Sequence, residues 1–408
     1  MDLFDKCGAF NAYFERQKHI SPYFHEITSK QHSEVTIDGR RTIMLGSNNY
    51  MGLTSDPRVI EAAREAAAQY GTGCSGSRFL NGTLSLHIRL ERAIAEFSGF
   101  DDVMTFSTGF QTNLGILSCI CGRGDYILFD RANHASLVDA ARLSFAKLVK
   151  YDHNNMADLE EKIQAIPADA PKIIVADGVF SMEGDLVDLP NIVKLKKKYN
   201  CRLMIDDSHG FGVMGKNGRG AAEYFGLEKE VDILMGTFSK ALASLGGFMA
   251  APANVINYCR HASRPFIFSA SIPPSNAAAA LKALEIIKTE KWRLKKVLEN
   301  AQYLRKGLKN LGLPAGDSVT PIVPIRTHGD ERTFLITHAL LEEGVYVNPV
   351  ISPAVPEGEA MLRTSCTATH TQEQLDFALA AFGRVFARFP DKPEDGSIVI
   401  SKLFGKSE

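Results

Sequence analysis

The feature that most constrains the fold is an alternation of short apolar runs with helical patterns between residues 84 and 251. Helical patterns occur at Leu84–Phe97, Thr112–Cys119, Ala135–Ser144, Met156–Ile166 and Asn191–Tyr199. Seven runs resemble buried strands: Val103–Phe106, Tyr126–Phe129, Leu148–Tyr151, Ile173–Ala176, Leu203–Ile205, Ile233–Met235 and Phe248–Ala251. This alternation predicts an α/β fold with a mostly parallel seven-stranded sheet covered on both faces. For the last run, which follows a glycine pair, an antiparallel direction stays open.

The flanking segments predict a hairpin at the start and a smaller α/β unit at the end. Val35–Met44 surrounds Asp38-Gly39, a typical hairpin turn. The later elements are a long helix (Asn276–Leu311), strands near Ile322–Ile325 and Val345–Asn348, and a terminal helix (Gln372–Phe389). We therefore predict an N-terminal arm and hairpin (1–44), a large domain (45–285), a small C-terminal α/β domain (286–390) and a polar tail (391–408).

Charge and composition argue against several classes of protein. The net charge over 408 residues is −1, so no basic surface for nucleic acid is expected. No apolar stretch approaches the ~18 residues of a membrane span, and the charged N-terminus is not expected to be a signal peptide. Seven scattered cysteines fit reduced thiols better than disulfides or a zinc site. We expect no metal and a cytoplasmic location, with peripheral association at the inner membrane left open.

A glycine-rich segment after the first long helical pattern needs a separate interpretation. Gly71, Gly73 and Gly76 spell G-x-G-x-x-G, the pattern of dinucleotide-binding loops. Those loops place the first glycine after a strand and the third at a helix start, where the pyrophosphate binds. Here the glycines follow a predicted helix, Pro57–Tyr70. The pattern therefore predicts a loop of another purpose.

Polar residues that follow the predicted strands are candidates for a site, because parallel sheets bind ligands at the carboxyl ends of their strands. In FSTGFQTN (106–113), the N–H groups of Gly109 and Phe110 suit a phosphate, although an ordinary capped turn explains the segment equally well. In NHAS (133–136), His134 opens a helix, where a capping or surface role is the simpler interpretation.

Two further loops follow buried strands. DGVFSMEGD (177–185) offers three candidates, Asp177, Ser181 and Glu183, of which none stands out alone. In MIDDSHGFG (204–212), Asp206 ends a strand, so its carboxylate needs a cationic partner such as a protonated pyridine nitrogen. His209 lies three residues further on. Metal binding by Asp207 and His209 is disfavoured because no third ligand is nearby.

One lysine lies among small residues after the run Ile233–Met235. Lys240 in GTFSKALASLGG (236–247) is flanked by Thr237 and Ser239. Such a lysine is often a loop charge, but lysine amines also form Schiff bases with pyridoxal phosphate (PLP). A carboxylate for a ring nitrogen, a phosphate turn, a flat histidine and an amine at the strand ends together indicate PLP chemistry.

These motifs, in their order and spacing, resemble the α-oxoamine synthases, PLP-dependent enzymes of fold type I. The resemblance runs from about residue 20 to 390 and is carried by FSTGFQTN, DRANHASL, DGVFSMEGD, IDDSHGFG, GTFSKALASLGGF and LRTSCTATHT. It implies a PLP-dependent acyltransferase that works as a homodimer with its sites at the subunit interface. The GSRFLNG loop (76–82) would then belong to that interface.

The resemblance also implies a role for each matching residue around the cofactor ring. It makes Lys240 the residue that holds PLP and Asp206 the partner of the pyridine nitrogen. His134 would stack on the ring, while His209 and Ser181 would lie near the phenolic oxygen.

Phosphate and substrate contacts are implied in the same way. The implied phosphate contacts are Gly109, Phe110, Thr237 and Ser239, with Ser271 reaching the phosphate of the partner subunit. Arg363, in LRTS, would hold the carboxylate of the amino acid, and Asn49 would flank that substrate.

Within the family, the phrases GTGCSGSRFLNGTL, KYDHNN, SRPFIFSAS and VNPVISPAVP are most similar to one branch. That branch condenses L-serine with a long-chain acyl thioester, such as palmitoyl-CoA or an acyl carrier protein thioester, to 3-ketosphinganine in sphingolipid synthesis. Branches that use alanine or glycine are the alternative; a non-catalytic subunit is less consistent with Lys240. Ile351 stands where some members have an arginine that helps govern decarboxylation, and Asp207 stands where the family often has glutamate.

Overall fold

The computed structural model describes residues 2–8, 11 and 21–390, which fall into two compact units. The large unit comprises residues 48–181 and 185–296. The terminal unit comprises the described residues up to 47, residues 182–184 and residues 297–390. The limits proposed above for the two domains stay a prediction. The polar tail and residues 1, 9, 10 and 12–20 of the N-terminal arm lie outside the described residues.

A hairpin opens the terminal unit. β1 (Glu34–Ile37) pairs antiparallel with β2 (Arg40–Met44). The turn residues Asp38 and Gly39 have φ angles of 49° and 74°. Two successive positive φ angles make a type I′ turn, which suits an Asp-Gly pair. The predicted hairpin is confirmed.

The large unit is built on the predicted seven-stranded sheet. Its strands are β3 (Asp102–Phe106), β4 (Tyr126–Asp130), β5 (Lys147–Tyr151), β6 (Lys172–Asp177), β7 (Arg202–Asp206), β8 (Ile233–Thr237) and β9 (Gly247–Ala251). Their order is β3-β9-β8-β7-β6-β4-β5, and β9 runs antiparallel to both of its neighbours while the other pairs are parallel. Every residue of β6, β8 and β9 is buried, as expected for strands covered on both faces. The predicted α/β class is confirmed.

Helices of the large unit follow the predicted pattern closely. They are α1 (Pro57–Tyr70), α2 (Ser85–Ser98), α3 (Gly109–Ile120), α4 (Ala135–Ser144), α5 (Met156–Gln164), α6 (Leu189–Lys198), α7 (Ala221–Phe225), α8 (Ala253–Ala262), α9 (Arg264–Ile267) and α10 (Pro274–Thr289). Asp56 caps α1 by accepting the Arg58 N–H at 3.0 Å, and Gly71 ends it with a φ of 85°. The glycine-rich loop therefore follows a helix, as predicted, and not a strand.

The prediction of one long helix, Asn276–Leu311, is wrong. Glu290 has φ −96° and ψ 67°, outside helical geometry, and separates α10 from α11 (Trp292–Asn310). Its carboxylate accepts hydrogen bonds from Arg58 at 2.5 Å and from Arg293 at 2.8 Å. An ion-pair network that reaches back to α1 accompanies this break, and periodicity along the chain carries no sign of it.

The rest of the terminal unit contains two three-stranded sheets, ordered β1-β2-β11 and β10-β13-β12. The new elements are β10 (Ile322–His328), α12 (Asp330–Glu342), β11 (Val345–Tyr346), β12 (Asn348–Val350), β13 (Ala360–Ser365) and α13 (Gln372–Arg388). The predicted single strand Val345–Asn348 is wrong, because the chain passes from one sheet to the other between Tyr346 and Asn348. Each described helix in the chain is too short or too polar to cross a membrane.

A buried ion pair joins the glycine-rich loop of the large unit to α2. The side chains of Arg78 and Glu91 are 6% and 4% exposed, and the guanidinium donates to both carboxylate oxygens at 2.6 and 3.0 Å. Glu91 also accepts the backbone N–H and the hydroxyl of Thr105 in β3, each at 2.9 Å. One carboxylate therefore holds the loop, a helix and an edge strand together.

Replacing Glu91 with glutamine should lower the free energy of unfolding by about 3 kcal/mol, because Arg78 would keep its charge in a buried site without a counter-charge. Denaturant unfolding of the purified protein measures this. The control is Glu61→Gln, which breaks an exposed pair with Arg64 (2.8 Å) and should change stability little. Equal effects of the two substitutions would contradict the assignment.

Candidate active site

The carboxyl ends of three central strands bring predicted site residues together in the large unit. Asp177 ends β6, Asp206 ends β7 and Thr237 ends β8. Asp177 and Asp206 are direct partners in the parallel register of their strands. All three side chains are buried. This edge of the sheet is where a parallel sheet offers a ligand site.

Asp206 is held by donors from two sides. Its Oδ2 accepts from the Asn113 amide at 2.7 Å, and its Oδ1 accepts the N–H and the hydroxyl of Ser208 at 3.1 and 2.6 Å. The Asn113 amide also donates to Ser136 at 2.8 Å. Sequence reasoning missed Asn113, although it is the last residue of the motif FSTGFQTN. The only sign in the sequence that Asn113 could reach the site was its position one turn into α3.

His134 lies at the N-cap of α4, as predicted. Its Nδ1 accepts the Ser136 N–H at 3.2 Å. Burial lowers the pKa of the His134 imidazole, while Asp206 raises it and Lys240 lowers it further. The ring is therefore neutral at pH 7. Because both charges act on it, His134, Asp206 and Lys240 belong to one electrostatic neighbourhood.

A cluster of hydroxyl and N–H donors lies at the start of α3. Thr237 Oγ1 lies 2.8 Å from Ser239 Oγ and donates to the Gly246 carbonyl at 3.0 Å. A Cβ atom on Gly109 would lie only 2.9 Å from Thr237 Oγ1. The first turn of α3, with Phe110 at its second position, therefore approaches these hydroxyls closely only because residue 109 is glycine.

His209 and Asn49 lie on loops of the same unit. The buried His209 ring contacts the hydroxyl of Tyr50 through Nδ1 at 2.7 Å. Asn49 is buried, and its Oδ1 accepts the N–H groups of Leu53 (3.0 Å) and Thr54 (3.3 Å). Tyr50 was missed from the sequence, although it follows Asn49 directly in LGSNNYMGL.

Ser181 and Ser271 occupy two further loops of the large unit. Ser181 follows Phe180, whose N–H bonds the Asp185 carbonyl at 3.0 Å and closes the loop after β6. The Ser271 hydroxyl donates to the Gly82 carbonyl at 2.7 Å, so this chain's own glycine-rich loop engages it. A contact from Ser271 to a partner subunit stays a prediction.

Arg363 and Ile351 belong to the terminal unit and are described there. Arg363 lies in β13 opposite Asn348 and is buried. Ile351 is buried against Phe334 and Ala360 in an apolar cluster. The position at which some family members place an arginine is therefore part of a hydrophobic core in this chain.

Comparisons with known proteins agree with this geometry. The model of the aminotransferase class I and II family matches residues 40–382. The chain belongs to this family. A serine palmitoyltransferase of Sphingobacterium spiritivorum is 50% identical over 385 residues, which cover 94% of this chain and 96% of that protein. An 8-amino-7-oxononanoate synthase of Symbiobacterium thermophilum is 43% identical over 361 residues, covering 88% and 92%.

A solved structure extends the likeness to three dimensions. The serine palmitoyltransferase from S. paucimobilis with bound PLP and myriocin superposes with a TM-score of 0.93 at 35% identity, covering 95% of this chain and 99% of that one. Together with the relatives, it confirms the fold type I prediction and the α-oxoamine synthase group within the aminotransferase class I and II family. That group consists of PLP-dependent acyltransferases.

The residues of this family member fit PLP. The donors around Gly109 and Thr237 suit a phosphate, because the first N–H groups of a helix such as α3 have no acceptor within the helix itself. A carboxylate has about four positions that can accept a hydrogen bond. The described donors to Asp206 use three of them. The remaining position suits the N–H of a pyridine ring. When bound, PLP supplies an electron sink for charge that develops on the substrate.

Two more carboxyl groups of this site region are set apart from Asp206 by their environments. Burial, and then the charge of Asp206, raise the pKa of Asp177 well above its usual range. Burial also raises the pKa of Asp207 to about 7, against the opposing hydrogen bond from the Ala221 N–H at 2.8 Å. Both shifts favour the protonated forms of Asp177 and Asp207, which limits repulsion between the three groups.

Asp207 predicts a pH dependence of stability. Its pKa is raised from 3.8 to about 7 on folding, so its contribution is fully present below pH 3.8 and is lost as pH rises through about 7. Asp207→Asn removes this contribution. The unfolding free energy of the wild type minus that of Asp207→Asn should therefore fall by on the order of 2 kcal/mol between pH 5 and pH 8.

Denaturant unfolding at pH 5, 6, 7 and 8 measures the difference between the two proteins. Asp101→Asn, at an exposed carboxylate, is the control and should follow the wild type at each pH. Parallel curves for wild type and Asp207→Asn would contradict the raised pKa.

Proposed function

We propose that the chain catalyses the condensation of L-serine with a long-chain acyl thioester, with palmitoyl-CoA as the model donor. The products are 3-ketosphinganine, CO2 and the free thiol, which makes the reaction the first step of sphingolipid synthesis. The observation that carries the proposal is the shared neighbourhood of Lys240, Asp206 and a neutral His134 at the strand ends. The 50% identity to a serine palmitoyltransferase supports the choice of substrates.

Lys240 has two tasks in this proposal. Its amine would hold PLP in the resting enzyme, and with serine bound, Nζ would take the proton from the serine Cα. Asp206 keeps the pyridine nitrogen protonated through a charge-assisted bond. His134 is suited to stack on the ring because its imidazole is planar and burial favours the neutral form. His209 and Ser181 are assigned to the phenolic oxygen.

Arg363 is assigned to the serine carboxylate. A guanidinium can bind a carboxylate through two parallel N–H groups, which orients the bond to the departing CO2 as well as holding the substrate. Asn49 flanks the substrate in this assignment. The phosphate contacts are assigned to Gly109, Phe110, Thr237 and Ser239, with Ser271 assigned to the partner's phosphate.

The alternative keeps the residue roles and changes the substrates to alanine or glycine with another acyl thioester. The 43% identity to an 8-amino-7-oxononanoate synthase favours this as the runner-up. The residues that hold cofactor and carboxylate serve both reactions, so only substrate preference separates the two.

The proposal includes a homodimer and a cytoplasmic location. Phe79 and Leu80 project from the glycine-rich loop, with Leu80 75% exposed, while Arg78 anchors that loop internally. An apolar tip on a fixed loop suits a subunit interface. All seven cysteines are free thiols, as expected in a reducing compartment. The lipid-like product gives a reason for peripheral association with the inner membrane.

Amino-acid titration of the protein purified with PLP tests the function. Serine should change the visible absorbance at lower concentration than alanine or glycine, and palmitoyl-CoA should then give a C18 ketone detected by mass. Lys240→Ala should lose the resting absorbance and turnover together, whereas Lys306→Ala, at an exposed helix position, should retain both. Preference for alanine or glycine would favour the runner-up. A PLP-free wild type would defeat both.

Leu80→Asp tests the dimer. A charge at the loop tip should raise the dimer dissociation constant at least about tenfold, since burying an unpaired carboxylate is costly. Sedimentation at several protein concentrations measures it. Leu143→Asp, at another exposed leucine (55%), is the matched control. Unchanged association of Leu80→Asp would exclude this loop from the interface.

A further inference from the structure

His153 lies outside the residues assigned so far and bridges two carboxylates. Its Nδ1 is 2.9 Å from Asp130 Oδ1 and its Nε2 is 2.8 Å from Asp185 Oδ2. Carboxylates accept hydrogen bonds and do not donate them, so both ring nitrogens must carry protons to make both bonds. The geometry therefore requires an imidazolium at this position.

One of these carboxylates is fixed by the sheet. Asp130 ends β4 and is 1% exposed, and it also accepts the N–H groups of Ala132 (2.9 Å) and Asn154 (3.0 Å). Asp185 instead belongs to the loop after β6. The imidazolium thus joins a rigid strand end to a loop.

That loop is a short hairpin whose base adjoins the candidate active site. Phe180 N–H bonds the Asp185 carbonyl (3.0 Å), and Val187 N–H bonds the Gly178 carbonyl (3.2 Å). The Gly178 N–H in turn bonds the Asp206 carbonyl at 2.7 Å. Ser181 follows Phe180 directly, so displacement of the hairpin base moves Ser181.

The residue after His153 strengthens the same attachment. Asn154 has a φ of 50°, a conformation that asparagine tolerates. Its amide donates to Asp185 Oδ2 (3.1 Å) and to the Leu186 carbonyl (3.0 Å), and its oxygen accepts the Asp188 N–H (3.0 Å). The His153 ring also packs edge-on against Phe180, with centroids 4.3 Å apart. The phrase KYDHNN in the sequence thus encodes an attachment for this hairpin.

We propose that His153 is a positioning residue, a fixed cation between Asp130 and Asp185 that holds the hairpin of residues 178–187 and thereby Ser181. The proposal rests on the proposed function in one respect, the assignment of Ser181 to the cofactor. His153 itself touches no reacting group in this assignment.

The surrounding charges keep this cation present at physiological pH. Burial lowers the pKa of His153, but the bonds to Asp130 and Asp185 outweigh it and raise the pKa to about 10. Tyr151 and Asp177 lie near Asp130. Asp152, which precedes the histidine in the chain, forms an exposed ion pair with Arg131 at 2.8 Å. His153 therefore acts as a constant charge rather than a switch near pH 7.

His153→Gln tests the proposal, because a neutral amide cannot donate to both carboxylates across the ring's span. Hydrogen exchange of residues 178–187 should become at least about tenfold faster. The variant should retain PLP, show a changed pH midpoint of the visible absorbance, and lose about tenfold in kcat/KM for serine. Asp152→Asn, next in the chain, removes only the exposed pair and should match the wild type in all three measurements.

Each outcome decides the proposal. Exchange and absorbance in His153→Gln that equal those of Asp152→Asn would overturn it. If His153→Gln does not fold, Asp185→Asn is tested in its place. The same changes in hydrogen exchange and absorbance are expected for Asp185→Asn. Wild-type behaviour of Asp185→Asn would overturn the proposal. A wild type without PLP absorbance would defeat the proposed function alone, since hydrogen exchange still reports on the hairpin.

Discussion

The structure of the large unit depends on accommodating one carboxyl group at the buried end of a central strand. Asp206 ends β7, is 4% exposed and receives the amide of Asn113 and the N–H and hydroxyl of Ser208. An ionised carboxylate in such a place is costly unless hydrogen bonds and an opposite charge compensate it. The parallel sheet supplies the rigid position, and α3 and the loop after β7 supply the donors. A cationic ring nitrogen would complete the compensation.

The neighbouring elements are arranged around that requirement. Asp207 lies against three glycines, residues 178, 210 and 220, whose Cβ atoms would each fall within 2.3 Å of its carboxylate oxygens. These glycines let the loop after β6 and the connection from β7 to α7 fold closely around one carboxyl group, which a larger side chain at any of them would prevent. The Asp207 site is therefore tightly enclosed and suits aspartate better than the longer glutamate.

Much of the fold could be predicted from the sequence because the signals for a strand or for a helix end lie in neighbouring residues. Strands β3 to β9 are short apolar runs, and a helix such as α4 has the predicted ends because His134 caps it. The failures share a different cause. The break at Glu290 involves arginines on α1 and α11, and the end of β11 is set by pairing with β2. Neither is encoded in a window of neighbouring residues.

The same distinction separates the site residues that were predicted from those that were missed. Lys240, Asp206 and His134 lie in motifs that resemble a family, so their roles are predicted from those motifs. Asn113 and Tyr50 lie in motifs of the same kind but act on partners 93 and 159 residues away, which spacing does not reveal. Supporting residues of this kind become visible only when distant segments are brought together.

The charged groups around the site divide into two sets with different purposes. At the strand ends, burial and mutual repulsion favour the neutral forms of Asp177 and Asp207, so the compensating hydrogen bonds and charge are concentrated on Asp206. One strand further out, Asp130 and Asp185 are paired through His153, which stays cationic. The inner set offers Asp206 to a cationic ligand group, whereas in the outer set both carboxylates already share one cation of the protein. The attachment that holds the loop therefore has its own cation and lies beside the site where a ligand is expected to supply another.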